Sequence, residues 1–527
     1  MIRCMRAFAL QQHRFPSRLI LCKLFSAQSL VKVDYYNDIR MNDNIQFGDF
    51  HLIASNSSAQ RKYTHIEDVG SLILPGENVW LRGRISSVRQ KGNVCFAVLR
   101  SKSFFTLQLC HFRDKSDILS KDLIKYVGDI PLESIVDVYG RVQSATVKSC
   151  TKQNVEISIQ KIFVVSRAPV VLPFSVEDAS RSESDIDHSL KHSDRPFARV
   201  IQDLRLNNRW LDLRVPANNA IMRVKGGVSL LFREALSSIG FTEIVSPKIL
   251  SGQSEGGSDV FTTKYFGKPA CLAQSPQLYK QMALSADFSR VFEIGPVFRA
   301  ENSNTRRHLC EYTGLDIEME IFSHYNEVLS VLHYLFRYIF NGLEERYALE
   351  LSVIRKQYPS EPALISEDPL IIHWHDAMDM LEGAGFLPDR DDDLSSQDEL
   401  MLGKLVKEKY RSDFFALDQY PASVRPFYTM PNPDNHNLSN SYDLFIRGQE
   451  ICSGGQRCHE PDMLEKKIKE KGLDPATLKF YIDSFRHGIS PHGGGGIGLE
   501  RVVFLYLGLD NIRKASMFPR DPSRCAP

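Results

Sequence analysis

A glycine-rich run, GGGGIG at 493–498, stands near the end of the chain and is followed by LER at 499–501. Its letters match the dinucleotide-binding pattern GxGxxG, but that pattern needs a buried strand before it and a unit of about 30 residues. The preceding SFRHGISPH is no buried strand, and only 29 residues follow Gly498. Glycine backbone still lets a ligand approach closely, and the start of the following helix favours phosphate. Arg501 could stack on a base or pair with phosphate, although a glycine-rich turn capping a core helix explains the segment too.

The segment VFRAENSNTRRH at 297–308 combines spaced charges with a polar loop. Arg299 and Glu301 are two residues apart, so a strand would place both side chains on one face. Arg306, Arg307 and His308 follow in the loop, and several cations on one loop could clamp a triphosphate. Taken alone, the segment is more typical of a solvated surface hairpin.

A third group of polar residues lies in SYDLFIRGQEICSGGQR at 441–457. Asp443 and Glu450 are hard oxygen donors, and Mg²⁺ in proteins typically takes one or two carboxylates and completes its shell with water and phosphates. Ser453 and Arg457 follow them. Singly, such residues are commonplace surface charges. A fourth segment, SEGGSDVF at 254–261, is glycine-rich and could form a mobile lid.

Five β-rich runs, bounded by turn residues, predict a small barrel in the first half of the chain. A helical pattern, SDILSKDLIKYVG, falls between the third and fourth runs. Five strands with one helix after the third are typical of an OB-fold, a common reader of single-stranded nucleic acid, although other small barrels fit the pattern too. The runs are 79–88, 94–100, 104–110, 134–147 and 155–165.

The rest of the chain predicts a larger α+β domain. Apolar residues recur at helical spacing over 221–239, Gly240 is a natural stop, and a strand follows that ends at Pro247. Residues 290–320 predict antiparallel strands, and the alternation in GLDIEME predicts an acidic face toward a cleft. Further helices are expected over 322–346, 396–410 and 461–471.

The N-terminal residues 1–33 contain no Asp or Glu but several arginines, which is typical of an organellar transit peptide. A disordered extension, or a true start at Met41, fits equally well. Residues 34–75 are expected to be a linker, 76–168 the OB domain, 169–215 a hinge, and 216–527 the large domain.

Composition narrows the class of protein. Hydrophobic residues make up 43% and charged residues 24% of the 527, as in soluble globular proteins. The ten cysteines form no CxxC pair, which indicates a reducing compartment such as the cytoplasm. Apolar runs of 18 residues are absent from the sequence, so no membrane span is expected. The net charge of +1 gives no global sign of nucleic-acid binding.

Together these motifs resemble a known family. The strand ending at Pro247, the FRAEN…RH…YTGLDIEME hairpin and GIGLER resemble motifs 1, 2 and 3 of the class II aminoacyl-tRNA synthetases, in that order. SEGGS, LAQSPQLYKQ, PVFRAENSNT, RPFYTMP, SGGQR and FPRDPSR are similar to the class IIb aspartyl-tRNA synthetases of the eukaryotic cytosolic and archaeal type. The resemblance covers about residues 77–527. It implies an antiparallel-sheet catalytic domain preceded by an anticodon-binding OB barrel.

The resemblance also implies substrates and partners. The enzyme would activate L-aspartate with ATP and Mg²⁺ and transfer it to tRNA-Asp. It would act as a homodimer, with Pro247 and the 221–239 helix as interface candidates, and association with other synthetases stays open. Two alternatives remain: an asparagine-specific relative and a non-catalytic scaffold. Localisation is expected to be cytoplasmic, or organellar through residues 1–33.

Site residues follow from the resemblance position by position. Arg299, Arg501 and Glu450 would be the catalytic residues, and Asp443 and Glu450 would hold Mg²⁺. The ATP-binding residues would be Arg299, Glu301, Arg307, His308, Leu309, Tyr312, Glu450, Gly498 and Arg501. Aspartate would be bound by Glu255, Gln277, Lys280, Arg299, Asp316, Ser453 and Arg457, with Lys280 favouring aspartate over asparagine. In the barrel, Phe96 would stack on an anticodon base and Gln108 and Glu156 would recognise others, although a core position for Phe96 is the alternative.

Overall fold

The computed structural model describes residues 46–49, 62–252 and 260–527. The chain divides between Leu172 and Pro173 into two compact units, each with its own β-structure. The division falls within four residues of the end of the predicted OB domain, in a stretch where Pro169 and Pro173 interrupt regular structure.

The first unit is a closed barrel, as predicted. Its strands run in the cyclic order β2-β3-β4-β6-β5, and β5 returns to pair with β2. Inward residues such as Leu99, Leu109 and Ile157 are fully buried, and along most of β3 they alternate with half-buried residues on the other face. The elements are β1 (Phe47–Asp49), β2 (Asn78–Lys91), β3 (Val94–Ser101), β4 (Phe105–Phe112), α1 (Leu119–Gly128), β5 (Ile135–Ser144) and β6 (Val155–Ser166).

Parts of the segment 34–75, which the sequence predicts as a linker, belong to the barrel. Strand β1 adds to β6 in parallel, and the 3-10 turn Ile66–Asp68 inserts Ile66 and Val69 into the barrel core. These pieces are too short for a periodic pattern, so hydrophobic periodicity does not reveal them. Likewise, the predicted hinge 169–215 contains four short helices, and its Arg209 and Asp212 form a buried ion pair.

An eight-stranded sheet forms the centre of the second unit, and a three-stranded sheet accompanies it. The large sheet has the order β13-β14-β15-β16-β17-β12-β11-β7, and the small one β8-β10-β9. The strands are β7 (Thr242–Glu243), β8 (Ile249–Leu250), β9 (Thr262–Tyr265), β10 (Lys268–Leu272), β11 (Arg290–Phe298), β12 (Glu311–Glu320), β13 (Ile371–His373), β14 (Phe414–Asp418), β15 (Ser441–Ile446), β16 (Gln449–Gln456) and β17 (His492–Gly498). The inner strands pair antiparallel, as predicted, while the edge strands β7 and β13 run parallel to their neighbours.

Helices pack around this sheet. The longest begins with proline at its first turn and buries the predicted apolar face, including Ile221, Val228 and Phe232. The helices are α2 (Val176–Ala179), α3 (Glu183–His192), α4 (Gln202–Asn207), α5 (Arg209–Asp212), α6 (Pro216–Ser238), α7 (Gln277–Leu284), α8 (Asn326–Arg346), α9 (Ala348–Gln357), α10 (Trp374–Gly383), α11 (Ser396–Tyr410), α12 (Pro461–Glu470), α13 (Lys479–Arg486) and α14 (Leu499–Tyr506). Further 3-10 turns are Ala422–Val424, Pro475–Leu478 and Ile512–Ala515.

The glycine-rich run is itself the central strand β17, not a turn before a helix. It pairs with β12 on one side and β16 on the other. Glycine is depleted in strands, so intrinsic preference does not predict it here. The reason lies in the neighbours: a Cβ on Gly494 would stand 2.1 Å from the carbonyl oxygen of Ile317 and 2.5 Å from Glu318 Oε2. Gly494 must therefore lack a side chain for Glu318 to fit, and a Cβ on Gly496 would stand 3.2 Å from Asp316 Oδ1.

Candidate active site

A cavity of about 380 Å³ opens over the centre of the large sheet. Side chains from β12, β15 and β16, from the loop after β11 and from the start of α14 line it. Most of the predicted site residues therefore meet in one place, although they come from distant parts of the sequence. The predicted residues at its wall are Gln277, Arg299, Glu301, Arg307, His308, Leu309, Tyr312, Asp316, Asp443, Glu450, Ser453, Arg457, Gly498 and Arg501.

Three of the residues predicted to bind ATP form a charged and aromatic group at one side. The Arg299 guanidinium carbon lies 5.7 Å from the centre of the Tyr312 ring, within cation–π range, and Arg299 Nη1 lies 3.9 Å from Glu301 Oε1. Strand β11 ends at Phe298, so Arg299 and Glu301 lie just beyond the strand that the spacing suggested. Flat and charged surfaces of this kind suit a nucleotide base and its phosphates.

The loop between β11 and β12 is held from below by the 3-10 turn Ile512–Ala515. Buried Arg513 donates to the carbonyl oxygen of Thr305 at 2.9 Å and to Asn304 Oδ1 at 2.6 Å, and its Nε donates to Asp521 at 2.6 Å. The amide of Ile512 donates to the carbonyl oxygen of Arg306 at 3.0 Å. These contacts, which we call the C-terminal clasp, tie the loop between β11 and β12 to the C-terminal part of the chain.

His308 differs from the expectation that this loop offers several cations. Burial and the nearby charge of Arg501 lower its pKa below the ordinary value, which favours the neutral ring. Its Nδ1 shares a hydrogen bond with Thr305 Oγ1 at 2.6 Å. The Nη1 of Arg307 lies 3.1 Å from Glu399 Oε2 in α11. The fixed positive charge at this end of the cavity therefore comes from arginine.

The back of the cavity contains a buried ion cluster. Glu318 accepts hydrogen bonds from Arg457 Nε at 2.8 Å and Nη2 at 3.2 Å, and it lies 3.3 Å from Lys280 Nζ. Lys280 also lies 3.1 Å from Asp316 Oδ1. Arg457, Asp316 and Gln277 reach the cavity wall, whereas Lys280 is 1% exposed and lies one layer behind it.

Glu318 was not among the predicted site residues, although the alternation in β12 placed it on the acidic face. That face is buried rather than open to solvent: Glu318 is 0% exposed. Burial opposes its ionisation, but the charges of Arg457 and Lys280 outweigh burial and lower its pKa below the ordinary value. Glu318 is therefore the resident anion between two cations, and its period-2 spacing from Asp316 was the available signal.

The opposite wall carries Asp443 and Glu450. Arg425 holds Asp443 through both carboxylate oxygens, at 2.7 and 3.2 Å, and it also donates to Ser453 Oγ at 3.3 Å. A β-bulge in β16 leaves Ile451 without an opposite residue, so Glu450 faces Phe445 and turns to the same side as Asp443. Arg425 and the bulge were both missed; RPFYTMP was noted only as part of the family resemblance.

Negative charge accumulates at this wall. Burial and the nearby carboxylate of Asp443 raise the pKa of Glu450. Burial and the nearby charge of Glu450 likewise raise the pKa of Glu399 to about 7. Arg501 offsets only part of the negative charge at this wall, because its Nη1 lies 3.8 Å from Glu450 Oε2. Two hard oxygen donors on one wall fit a divalent cation that takes one or two carboxylates, and Asp443 keeps free lone-pair directions beyond those that Arg425 occupies.

The first unit presents its own candidate surface. In β3, Phe96 is half-buried on the outward face of the barrel, edge-on to Phe112 at 6.0 Å between ring centres. This position argues against a core role for Phe96. Gln108 in β4 donates to Glu156 Oε2 in β6 at 2.7 Å, on the adjacent strands. The three residues predicted to bind the anticodon therefore lie on one outward face of the barrel.

Some predictions fall on residues that the structure does not describe. Glu255, most of the lid 254–261, the leader 1–33 and Met41 lie outside the described residues. Among the helices that are described, none combines the length and apolar character needed to cross a membrane.

Two family models match the chain. Residues 201–522 match the class II tRNA synthetases for D, K and N, and residues 79–165 match the OB-fold nucleic acid binding domain. The chain is 48% identical over 484 residues to the cytoplasmic aspartate–tRNA ligase of Homo sapiens, covering 92% of the chain and 95% of the relative. It is 46% identical over 483 residues to the Caenorhabditis elegans cytoplasmic aspartate–tRNA ligase, covering 91% and 90%.

Solved structures give the same picture. An aspartyl-tRNA synthetase from Entamoeba histolytica matches with a TM-score of 0.84 and 44% identity, covering 92% of this chain and 97% of that one. An asparaginyl-tRNA synthetase from Pyrococcus horikoshii, complexed with asparaginyl-adenylate, matches with a TM-score of 0.76 and 28% identity, covering 89% and 100%. The asparagine-specific structure is thus the more distant of the two.

Proposed function

Because the chain belongs to the aspartate–tRNA ligase family of class II aminoacyl-tRNA synthetases, we propose that it activates L-aspartate with ATP and transfers it to tRNA-Asp. The observation that carries the amino-acid assignment is the buried cluster of Lys280, Glu318 and Arg457. Arg457 at the cavity wall, backed by Lys280, favours a substrate with an anionic side chain. An amide would bind Arg457 less strongly, because a hydrogen bond between charged groups is about twice as strong as one between neutral groups.

The reaction has two steps. An oxygen of the aspartate α-carboxylate attacks the α-phosphorus of ATP, and the bond to pyrophosphate breaks to give aspartyl-adenylate. The 3′-hydroxyl of the terminal adenosine of the tRNA then attacks the carbonyl carbon, and AMP leaves. A carboxylate is already ionised at neutral pH. Catalysis therefore requires positioning and charge stabilisation more than a general base, which suits this arginine-lined cavity.

We propose the ATP-binding roles that the family resemblance implies for these residues, all of which lie at the cavity wall. Arg299 would neutralise charge that develops between the aspartate carboxylate and the α-phosphate. Tyr312 and Arg501 would enclose the adenine, Glu301 would accept from its amino group, and Arg307 would face the terminal phosphates. His308, Leu309 and Gly498 would complete the nucleotide pocket.

The residues that would bind the substrate aspartate are assigned in the same way. Gln277 and Asp316, with Glu255, would surround the ammonium group, and Arg457 backed by Lys280 would bind the side-chain carboxylate. Ser453 would contribute a hydroxyl at the wall. Asp443 and Glu450 would hold Mg²⁺, which would neutralise phosphate charge when bound.

The barrel, residues 76–168, would bind the anticodon, and residues 216–527 would form the catalytic domain beyond the segment 169–215. We also propose a homodimer: Val245 is 88% exposed beside exposed Pro247 at the end of motif 1, and an apolar edge of this kind suits an interface. Because the relatives are cytoplasmic ligases, we propose the same compartment for this protein.

Aspartate-dependent ATP–pyrophosphate exchange tests the activity. We expect exchange with aspartate to exceed that with asparagine by about 30-fold or more in the same assay, because loss of one partner from a buried charged hydrogen bond costs about 2–5 kcal/mol. Exchange with asparagine alone would support the asparagine-specific alternative. No exchange with either amino acid would support a non-catalytic scaffold.

Replacing Phe96 with alanine tests the barrel assignment. Stacking of a base on an aromatic ring contributes about 1–3 kcal/mol, so the Kd for tRNA-Asp should rise about tenfold or more. Pyrophosphate exchange without tRNA should stay unchanged, because the barrel takes no part in adenylate formation. Filter binding and exchange assays on one preparation measure both. An unchanged Kd would contradict the assignment of Phe96.

A further inference from the structure

The side chain of Arg307 is held by helix α11, which lies outside the three family motifs. Its Nη1 lies 3.1 Å from Glu399 Oε2, and its Nη2 donates to Ser396 Oγ. Both partners belong to the first two turns of α11. Within the described residues, Arg307 lies on a surface loop, so its guanidinium depends on contacts of this kind for a defined place.

Helix α11 is itself firmly placed. Ser395 and Asp398 form a capping box at its start, and Leu402 and Val406 are buried in the core beside β14. Gly403 of the helix meets Gly448 of the β15–β16 turn so closely that a Cβ on Gly403 would stand 2.3 Å from the Gly448 Cα. The helix therefore keeps a fixed distance from the hairpin that carries Asp443 and Glu450.

Glu399 is well placed to orient a cation. Its side chain is 15% exposed and that of Arg307 is 24% exposed, so water screens the pair less than it screens an ordinary surface ion pair. A long arginine side chain loses rotamer freedom when it binds a phosphate. A partner that fixes the side chain before the ligand arrives removes part of that loss, which is the general advantage of preorganisation.

We propose that Glu399, assisted by Ser396, is a positioning residue that presents Arg307 to the terminal phosphates of ATP. This inference rests on the proposed function and adds to it: Glu399 touches no substrate and acts through Arg307. Helix α11, inserted between β13 and β14, thereby becomes part of the nucleotide site.

The test is a pair of substitutions in aspartate-dependent ATP–pyrophosphate exchange. Glu399→Gln keeps the shape and removes the charge, and Ser396→Ala removes the second contact. We expect Glu399→Gln to raise the KM for ATP about tenfold, with a smaller change in kcat and an unchanged KM for aspartate. Ser396→Ala should shift the same constant in the same direction by less. Glu408→Gln, on an exposed position of the same helix, is the matched control and should change none of them.

A double-mutant cycle separates positioning from a general structural role. If Glu399 acts through Arg307, the variant Arg307→Gln/Glu399→Gln should have the KM for ATP of Arg307→Gln alone. Additive effects, or an equal loss in the KM for aspartate, would overturn the proposal. Absence of any exchange in the unmodified protein would instead contradict the proposed function. An active Arg307→Gln enzyme with a normal KM for ATP would overturn the positioning role of Glu399 and leave the proposed function intact.

Discussion

Replacing Lys280 with leucine will lower kcat/KM for aspartate by about 100-fold to 1000-fold in pyrophosphate exchange. Removal of one partner from a buried charge pair costs about 2–5 kcal/mol, and each 1.4 kcal/mol corresponds to a factor of ten. The Nζ atom lies 3.1 Å from Asp316 Oδ1 and 3.3 Å from Glu318 Oε2, so the variant loses one of two cations at the end of the pocket. The side-chain carboxylate of the substrate would then lie near Glu318, and Arg457 alone would balance the charge of both carboxylates.

The result requires a folded protein with an intact nucleotide site. Thermal protection by ATP should persist in Lys280→Leu, because Lys280 lies behind the amino-acid end of the cavity. Lys268→Leu, at an exposed position of β10, controls for the change of residue type and should exchange normally. Normal exchange in Lys280→Leu would remove the basis for assigning aspartate from this cluster.

Replacing Glu318 with glutamine should have the largest effect on stability. The variant would leave two buried cations with too little negative charge, and breaking a buried ion pair from one side costs about 3–5 kcal/mol. The melting temperature should fall by several degrees. L-aspartate should recover more of this loss in the variant than in the unmodified protein, because its carboxylate can take the place of the missing anion.

The pH dependence of the melting temperature gives a second test of the stabilising effect of Glu318. The folded protein lowers the pKa of Glu318 below its ordinary 4.5, so its stabilising effect is complete above that value. The effect is lost as the pH falls through the folded pKa, and the two proteins should then converge. Glu320→Gln, two residues along β12, is the control and should melt as the unmodified protein does. Equal melting of Glu318→Gln and the unmodified protein at neutral pH would contradict the ion cluster.

Local patterns in the sequence predicted the barrel and much of the order of strands and helices in the large domain. The alternation of apolar residues in β3 and the helical spacing of α6 are retained in the fold, because each pattern reflects which side of one element is buried. The family motifs predicted most of the cavity-lining residues that were expected to bind substrate. Their side chains lie on neighbouring strands and point from the same face of the sheet.

What escaped prediction depends on contacts between distant segments. Strand β17 is glycine-rich because Asp316 and Glu318 occupy the space above it, which no local preference records. The turn of Glu450 toward Asp443 depends on a bulge, and Glu399 meets Arg307 from 92 residues away. Burial of the acidic face of β12 could not follow from alternation alone, because its cations come from α7 and from the residue that follows β16.

The C-terminal clasp has a consequence for synthesis of the protein. Arg513 stands 208 positions after Thr305, whose carbonyl oxygen it holds. At about 5–20 residues per second, a ribosome needs about 10–40 s to add that stretch. A nascent chain therefore has its amino-acid pocket assembled in part before its nucleotide loop gains an anchor. A chain whose translation stops between Gly498 and Arg513 would contain every strand of the large sheet but would lack the contacts that hold the loop between β11 and β12.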